Sequence, residues 1–292
     1  MSAGVYLKSF RLPNRGEEEC FLGQIKRTCY PDRYPFNVFR YREMPVFTFE
    51  PVAIFCGGNG SGKSTILNVL GEKLKLKRGT NGNRSTFFED YVRLCRCELS
   101  PGCAGAPPAG SRVITSDDVF DYLLNLRCLN EGIDNKREEL LKEYTDYRYS
   151  DYRLQSLDDY EELRKHVEAV RYSGSGYVKR NLMDNVPQHS NGESALRFFA
   201  ETIDENALYL LDEPENSLSA QKQLELRDML HNSARFYGCQ FVIATHSPFL
   251  LSMPHAAIYD LDAEVPCRRK WTELESVRSY RDFFMAHEEE FQ

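Results

Sequence analysis

The chain has 292 residues, of which 41% are hydrophobic, and its formal net charge is −7. This length is enough for one large α/β domain with a buried core, and the negative charge argues against a protein that coats nucleic acid. No apolar run approaches the roughly 20 residues of a membrane span, and no secretory signal is apparent, so we expect a cytoplasmic protein without a membrane segment.

A strand, a glycine-rich loop and a helix follow one another from residue 52 onward. Val52–Cys56 is an apolar run that predicts a buried strand, and Ile66–Leu70 begins a helical pattern. The loop between them matches the phosphate-binding motif G-x-x-x-x-G-K-[ST] at every fixed position. The predicted nucleotide-binding residues of this loop are Gly57, Gly58, Asn59, Gly60, Ser61, Gly62, Lys63, Ser64 and Thr65.

This loop has the chemistry of a triphosphate site. Glycines let the backbone curl so that successive N–H groups point at phosphate oxygens, and the helix adds the positive end of its dipole. We expect Lys63 to reach the β- and γ-phosphates and the Ser64 hydroxyl to be a ligand of Mg²⁺. ATP and Mg²⁺ are therefore the expected cofactors.

A basic run, Lys73–Arg78, follows the predicted P-loop helix, and Arg84 comes shortly after it. Such a run is able to bind the phosphates of a nucleic acid. A solvated helix end, where the dipole favours cations, explains the same residues at least as well.

Nine cysteines are present, and Cys95, Cys97 and Cys103 form the one tight cluster. Three thiolates could bind zinc, but no fourth ligand stands at the spacing of a zinc site. We interpret these residues as reduced cysteines that serve as small apolar or loop residues.

The segment 130–180 is rich in charged residues and tyrosine and poor in long apolar runs. Lys136–Tyr144 and Asp158–Val170 are predicted as exposed helices. We interpret the segment as a helical insert in a single domain that covers residues 1–292. It is either a partner-docking surface or a solvated cap over the core, and its composition slightly favours the cap.

Small and hydroxyl residues precede another predicted helix at Ser190–Ser194. Ser190, Gly192 and Glu193 could form a second anion site at a helix start, which makes sense if they bind an ATP held by a second subunit. Because Ser190 and Glu193 also have the spacing of a capping box, an ordinary capped helix is an equal alternative.

A buried strand, Leu208–Leu211, ends in two acids. A carboxylate at the carboxyl end of such a strand faces the crevice in which α/β sheets bind ligands. We therefore expect Asp212 to hold Mg²⁺, directly or through another ligand, and Glu213 to be the general base that polarises the attacking water.

A third apolar strand, Gln240–Thr245, ends at His246. It follows a predicted helix, Ala220–Phe236, for which Ser219 is the expected N-cap. A histidine at a strand end can sense the γ-phosphate and hold both the water and the base. The predicted catalytic residues are Glu213, His246 and Lys63.

In this order the segments resemble the Walker A, signature, Walker B, D-loop and switch-histidine motifs of ATP-binding-cassette (ABC) ATPases. More closely, they resemble the stand-alone, AAA-labelled ATPases akin to the heads of SMC and DNA-repair proteins. The resemblance is carried by Tyr34-Pro35-Phe36-Asn37, Asn191–Ser194, Leu211–Ser219 and Ala244–Pro248. It implies an α/β fold of the P-loop NTPase type, with a mainly parallel sheet flanked by helices, an antiparallel β portion and a helical insert.

The resemblance also implies a mechanism. Two chains would sandwich two ATP molecules, each between Gly57–Thr65 of one chain and Ser190–Glu193 of the other, in an ATP-dependent homodimer. Binding would close the dimer and hydrolysis at Glu213 would open it. Nucleic acid or an effector in repair or antiphage defence is the expected partner. The alternatives are a phosphotransferase and the motor subunit of a transporter.

Two parts of the family pattern are missing. The signature reads Ser-Asn-Gly-Glu, and no Q-loop glutamine stands in the corresponding segment, Val113–Phe120. Either Ser116 or Asp117 takes over the contact with Mg²⁺ or water, or nothing does. Tyr34 and Phe36 are the candidates for stacking on adenine, although core packing explains both at least as well.

Overall fold

The computed structural model describes residues 4–25, 29–103, 105–150, 160–186 and 190–291. The chain divides into two compact units, Met1–Val119 with Asn191–Gln292, and Phe120–Ser190. Asp158, where the second exposed helix is predicted to begin, lies outside the described residues. The predicted extents of a single domain and of its insert, 1–292 and 130–180, stay predictions.

The described part of the first unit contains ten strands, which form two sheets. The strands are β1 (Leu7–Arg11), β2 (Phe47–Thr48), β3 (Val52–Cys56), β4 (Lys77–Arg78), β5 (Arg96–Leu99), β6 (Arg112–Thr115), β7 (Leu208–Asp212), β8 (Gln240–Ala244), β9 (Ala257–Asp260) and β10 (Cys267–Arg268).

Four of the described α-helices follow one another between β6 and β7, and the others lie among the remaining strands. They are α1 (Arg15–Gln24), α2 (Lys63–Lys73), α3 (Phe88–Leu94), α4 (Ser116–Tyr149), α5 (Tyr160–Arg171), α6 (Gly174–Asn181), α7 (Asn191–Thr202), α8 (Ala220–Phe236), α9 (Pro248–Leu251) and α10 (Glu275–Ala286). The predicted N-cap of α8 is confirmed, because Ser219 Oγ accepts a hydrogen bond from Lys222 N at 3.4 Å. Among the described helices, none combines the length and the apolar content needed to cross a membrane.

The larger sheet has seven strands in the order β10-β9-β3-β8-β7-β6-β4. Every neighbouring pair is parallel except β10 and β9. The carboxyl ends of β3, β8, β7 and β6 therefore lie along one edge, which is where parallel α/β sheets bind ligands. The mainly parallel sheet that the sequence predicts is confirmed.

The smaller sheet is antiparallel, in the order β2-β1-β5, and it confirms the predicted antiparallel portion. One fully buried side chain, Gln240 at the start of β8, ties it to the larger sheet. Gln240 Oε1 accepts hydrogen bonds from Tyr6 N and Leu7 N, both at 2.8 Å, and Nε2 donates to Leu7 O at 2.9 Å. A buried amide that is paired in this way avoids the cost of unsatisfied polar groups.

The core of the first unit positions the P-loop helix. On α2, Ile66, Leu67 and Leu70 are buried in a single apolar cluster with residues of both sheets. A Cβ atom at Gly71 would lie 2.7 Å from Val113 Cγ2 on β6, so this residue has to be glycine for the helix to approach the sheet so closely. The start of α2 is thereby fixed next to the edge that carries the strand ends.

The second unit has a small apolar core of its own. Leu140 of α4 packs with Tyr177 and Val178 of α6. Arg148 Nη1 donates to Ala169 O at 2.9 Å, near the end of α5, where a cation is favoured by the helix dipole. The predicted exposed helices therefore have an apolar face within this unit.

Candidate nucleotide-binding site

The P-loop connects β3 to α2, and its backbone depends on glycine. Gly60 and Gly62 have φ angles of 82° and 98°, in the left-handed region that other residues rarely adopt. A Cβ atom at Gly62 would also lie 2.3 Å from Cε1 of Phe39, a buried ring. Both the conformation and the close contact therefore require glycine at position 62.

Lys63, the first residue of α2, is almost completely buried, with 4% of its surface exposed. Its Nζ donates hydrogen bonds to Gly57 O at 2.7 Å and to Gly58 O at 3.1 Å. The ammonium group therefore lies within the curl of the loop. This is the position from which a lysine is able to reach phosphate oxygens held by the same loop.

Ser64 and Asp212, the predicted metal ligands, are 148 positions apart in the sequence and are brought together by the fold. Ser64 Oγ donates a hydrogen bond to Asp212 Oδ1 at 3.0 Å. Burial raises the pKa of Asp212 to about 6, the hydrogen bond from Ser64 opposes this rise, and the negative charge of Glu213 adds to it. The Lys63 ammonium also lowers this pKa, so the P-loop and the end of β7 form one electrostatic site.

Glu213 directly follows β7 and has an unusual backbone. Its φ angle is 48°, and its N–H donates to Ala244 O of β8 at 2.9 Å. Asn216 Nδ2 donates to the carboxylate at 3.2 Å, on Oε2. A non-glycine residue in the left-handed region is strained, and such residues concentrate at functional sites.

His246 lies two residues beyond β8, next to Glu213. Its Nδ1 is 3.8 Å from Glu213 Oε1, and about half of the imidazole side chain is exposed. The order of the sheet explains this proximity, because β8 lies between β3 and β7. The three predicted catalytic residues, Lys63, Glu213 and His246, thus follow three adjacent strands at one edge.

The oxygen atoms at this edge fit a magnesium ion. Mg²⁺ prefers hydroxyl, carboxylate and water oxygens, and Ser64 and Asp212 line a cavity of about 180 Å³ together with Ser116 and Asp117. Asp118, in contrast, accepts hydrogen bonds from the N–H and hydroxyl of Thr115. The segment that replaces the Q-loop therefore directs Ser116 and Asp117, rather than Asp118, to the cavity.

The two candidates for the adenine contact differ in their surroundings. Phe36 is buried, and its ring stacks on Phe21 with centroids 4.9 Å apart, which is the core packing that the sequence left open as the alternative. Tyr34 lines the same cavity as Ser64, although its ring stacks on Phe88. Asn68 Nδ2 donates to the Tyr34 hydroxyl at 3.3 Å, which fixes the ring beside α2.

The signature residues lie at the start of α7. A Cβ atom at Gly192 would lie 3.4 Å from Lys222 Cγ and 3.9 Å from Ser217 O, so this glycine packs against the start of α8 and the segment before it. Neither Gly192 nor Glu193 is among the described residues that line the cavity beside Ser64. Ser190 directly precedes α7 in the chain.

Two of the four cations in the basic run Lys73–Arg78, together with Arg84 beyond it, are used in internal contacts. Lys73 Nζ donates to Val92 O at 3.1 Å, and Arg78 Nη1 donates to Asn68 Oδ1 at 2.6 Å. Arg84 forms an ion pair with Glu72. These three cations stabilise the surroundings of α2, whereas the side chains of Lys75 and Lys77 are exposed.

The cysteines of the predicted cluster differ in accessibility. Burial raises the pKa of the Cys95 thiol to about 12, and its Sγ donates to Tyr91 O at 3.4 Å. Burial also raises the pKa of Cys97. Burial therefore disfavours the thiolate, the form of cysteine that binds metals, at Cys95 and Cys97. The described residues contain no group of three or more His, Cys, Asp or Glu side chains arranged to hold a metal ion.

Two acids of the site were not predicted from the sequence. Glu215 is buried and accepts a hydrogen bond from Thr245 Oγ1 at 2.6 Å. Asp262, just beyond β9, accepts a hydrogen bond from Gly58 N at 2.8 Å and so holds the first half of the P-loop. Because Glu215 stands two residues after the predicted base, its position in the sequence could have indicated a place in the site. No local sequence pattern marks Asp262 in this way.

A family model described as "AAA domain, putative AbiEii toxin, Type IV TA system" matches residues 109–252, just under half of the chain. This segment includes the signature, Walker B and switch-histidine motifs but begins after the P-loop. No curated protein matches the chain.

Several solved structures are similar to the chain at low identity. The SMC head domain from Thermotoga maritima is 13% identical, with a TM-score of 0.42, and the match covers 91% of this chain and 99% of that one. An Smc head from Pyrococcus furiosus, bound to the C-terminal domain of ScpA, is 12% identical, with a TM-score of 0.40 and coverages of 95% and 99%. An ATP-binding cassette solved as a dimer with ADP and Pi is 14% identical, with a TM-score of 0.35 and coverages of 77% and 88%.

Proposed function

We propose that this chain, a P-loop protein of the ABC/AAA type akin to the SMC heads, binds ATP and hydrolyses it to ADP and phosphate. One observation carries the proposal. Lys63 and Ser64, Asp212 and Glu213, and His246 follow three adjacent parallel strands, and the Ser64 hydroxyl and the Asp212 carboxylate are 3.0 Å apart. A phosphate loop, a metal-binding acid and a base at one sheet edge are the parts that phosphoryl transfer to water requires.

Residues Gly57–Thr65 would hold the triphosphate. The loop ends at the amino terminus of α2, where free backbone N–H groups and the helix dipole favour anions. Lys63 would exchange its bonds to Gly57 O and Gly58 O for bonds to the β- and γ-phosphates. Because the lysine is already directed into the loop, little rearrangement of its side chain is needed.

Ser64 and Asp212 would hold Mg²⁺, and Asp117 or Ser116 would complete its surroundings from the cavity wall. When bound, the ion neutralises negative charge on the β- and γ-phosphates. The residues themselves supply the selectivity, because hydroxyl and carboxylate oxygens suit Mg²⁺ and no thiol or imidazole is among the described residues that line this cavity.

We expect Mg²⁺ binding to weaken steeply in mild acid. The pKa of Asp212 is about 6, so the carboxylate is ionised above this pH and becomes protonated, and unable to bind the ion, as the pH falls through it. The apparent Mg²⁺ dissociation constant should rise about tenfold for each pH unit below about 6. The measurement is Mg²⁺ titration of the nucleotide complex between pH 5 and 8.

The Asp212→Asn variant is the control, because it retains the titration of the nucleotide itself but lacks the carboxylate. Its Mg²⁺ affinity should be lower at every pH and should vary with pH only as that of free ATP does. Identical pH dependences for the variant and the unaltered chain would show that Asp212 does not hold the ion.

In the hydrolytic step, Glu213 would accept a proton from a water molecule while the water oxygen forms a bond to the γ-phosphorus. The bond between this phosphorus and the β–γ bridging oxygen breaks, and ADP leaves with the bridging oxygen. His246 would turn Nε2 toward the γ-phosphate and, when the ring carries a proton on both nitrogens, would donate a hydrogen bond from Nε2 to it, while Nδ1 faces Glu213 and keeps it in place. Its position 3.8 Å from the Glu213 carboxylate supports this pairing.

A second copy of the chain would complete each site. Gly192 and Glu193 are not among the described residues that line the cavity beside Ser64, so a role in ATP binding would concern the ATP of another chain. Gly192 has no side chain to block an approaching anion, and the amino terminus of α7 favours negative charge. ATP would then favour a closed dimer, and its hydrolysis would release the closed state.

The shared sites can be tested by mixing two variants that are each inactive. Lys63→Ala removes the phosphate contact, and Ser190→Glu places a negative charge that favours a helix start but repels a phosphate across the interface. A mixed dimer has one intact site, so an equal mixture should recover about a quarter of the unaltered ATPase rate. The measurement is phosphate release by each variant alone and by the mixture.

A mixture of Lys63→Ala with Glu213→Gln is the matched control, because both residues belong to the same half of each site and no intact site forms. It should remain inactive. Full activity of Ser190→Glu on its own, or no recovery in the first mixture while both variants are folded, would rule out the shared site and leave a monomeric ATPase.

We propose further that the cycle of closing and opening acts on a nucleic acid or on an effector protein of repair or defence. Similarity to the SMC-type heads supports this direction, and the solved Smc head from Pyrococcus furiosus is bound to a protein, ScpA. The second unit, Phe120–Ser190, is the surface proposed for this partner, since Lys73, Arg78 and Arg84 beside α2 are used in internal contacts.

A further inference from the structure

Glu215 is a charged residue in the interior next to the proposed catalytic residues. It is 5% exposed, and it follows the proposed base, Glu213, by two positions. Burying an ionised carboxylate costs free energy, because the charge loses its hydration. A neutral amide of the same shape could accept the same hydrogen bonds without this cost, so the charge itself is expected to have a role. The contacts of this side chain therefore indicate what the charge does.

One carboxylate oxygen makes all the contacts with the turn that carries His246. Glu215 Oε1 accepts a hydrogen bond from Thr245 Oγ1 at 2.6 Å and one from His246 N at 3.1 Å. The same oxygen is 3.5 Å from His246 Nδ1, closer than the 3.8 Å that separates Nδ1 from Glu213. The backbone N–H of the histidine is thus bound by this oxygen, and its ring nitrogen Nδ1 lies close to the same atom without a hydrogen bond.

The other oxygen, Oε2, is buried and has no hydrogen-bond partner among the described residues. A group that merely capped the turn would gain nothing from this second, unsatisfied oxygen. A negative charge directed at Nδ1 does have an effect on the ring, since it favours the form of imidazole that carries a proton on Nδ1. The opposite nitrogen, Nε2, then faces away from the carboxylate.

We propose that Glu215 is a positioning residue that acts through His246: it holds the turn by its backbone and keeps Nδ1 of the ring protonated and directed inward. The effect on turnover rests on the proposed hydrolytic function, whereas the effect on the ring does not. A carboxylate that orients a histidine in this way is a general device of catalytic and metal sites. Glu215 itself would contact neither nucleotide nor water.

A neighbouring residue supplies a matched control. Gln223 of α8 accepts a hydrogen bond from Ser247 Oγ at 2.6 Å and donates one to Leu218 O at 2.9 Å, so it stabilises the same turn without touching the imidazole. Gln223→Ala and Glu215→Gln should therefore differ in their effects on the ring and on turnover. A purely structural role of Glu215 would make the two variants alike.

The first test concerns the ring alone and uses the full chain without nucleotide. Long-range ¹H–¹⁵N NMR at pH 8, with the His246 signals assigned from a His246→Asn variant, reports which imidazole nitrogen carries the proton. We expect the Nδ1–H form in the unaltered chain and in Gln223→Ala, and the Nε2–H form in Glu215→Gln. The Nε2–H form in the unaltered chain would overturn the proposal.

The second test concerns turnover. Glu215→Gln should lower kcat for ATP hydrolysis about 10- to 100-fold while the dissociation constant for ATP changes less than about twofold. Gln223→Ala should leave kcat within about threefold. In a His246→Ala background, adding Glu215→Gln should cost less than about twofold, because two residues that act through one group are not additive.

Other results would distinguish a failure of the Glu215 proposal from a failure of the proposed role of His246. A full 10- to 100-fold loss from Glu215→Gln in the His246→Ala background would show that Glu215 does not act through the histidine. Undiminished turnover in His246→Ala would refute the proposed role of His246 in hydrolysis. The NMR experiment would then test only whether Glu215 orients the ring. If Glu215→Gln does not fold, Glu215→Asp retains the charge at a greater distance and should give a mixture of the two ring forms.

Discussion

Replacing Glu213 with glutamine is expected to lower the rate of ATP hydrolysis about a thousandfold and to trap an ATP-bound dimer. The amide has the shape of the carboxylate and is still able to contact Asn216, but it cannot accept a proton from water, a step worth about 10²- to 10⁴-fold. The P-loop and Ser64 are unaltered, so MgATP still binds. The measurements are single-turnover phosphate release and light scattering with and without MgATP.

A suitable control is Glu205→Gln, which removes an exposed carboxylate that precedes β7 at the other end of this strand. Its hydrolysis rate and its mass with MgATP should equal those of the unaltered chain. A Glu213→Gln variant that remains monomeric with saturating MgATP would contradict the sandwich. One that hydrolyses ATP at the normal rate would contradict the assignment of the base.

Loss of the Lys63 ammonium is expected to weaken ATP binding about a hundredfold, equivalent to about 2.7 kcal/mol. In Lys63→Ala the phosphates lose a charge-assisted contact in a buried site. The loop also loses the hydrogen bonds to Gly57 O and Gly58 O, which close its curl. Calorimetric titration with ATP in the presence of Mg²⁺ measures the change directly.

Two controls separate the charge from the shape of the loop. Lys63→Met retains most of the buried stem without the charge, and it should bind ATP as weakly as Lys63→Ala while its melting temperature stays closer to that of the unaltered chain. Lys73→Ala, at the far end of the same helix, should bind ATP normally. Dissociation constants within about threefold of the unaltered value in both Lys63 variants would remove Lys63 from the site.

The motifs that could be predicted from the sequence are those made by contiguous residues. A strand, a glycine-rich turn and a helix lie within residues 52–73, so the P-loop and its lysine are recognisable without knowledge of any other part of the chain. The acids at the end of β7 and the histidine after β8 are local signals of the same kind. Local signals were also enough for α8, because Ser219 marks its start and the ends of the helix are as predicted.

Contacts that depend on the order of strands could not be predicted in this way. Glu215 meets His246 only because β7 and β8 are neighbours, and Asp262 meets Gly58 only because β9 lies beside β3. Pairing of strands is decided by tertiary packing and leaves no periodic signal in a single sequence. The roles of these two acids therefore become visible only in the folded chain.

Packing also decided between interpretations that the sequence left open. Phe36 has an aromatic ring of the kind that stacks on adenine, but this ring is enclosed by Phe21 and the surrounding core. Arg78 and Arg84 have the charge of a phosphate site, but their guanidinium groups bind Asn68 and Glu72. A side chain's chemistry states what it is able to bind, and its neighbours determine whether it is free to do so.

The position of β3 in its sheet has a consequence for how the protein is made. Both strands that flank β3, β8 and β9, are synthesised long after it, since they begin at residues 240 and 257. During translation the segment that leads into the P-loop thus stays without these two partner strands until residues 240–260 have left the ribosome. Contacts so distant in sequence form slowly, so we expect the strand that carries the P-loop to be among the later parts of the fold to gain its neighbours.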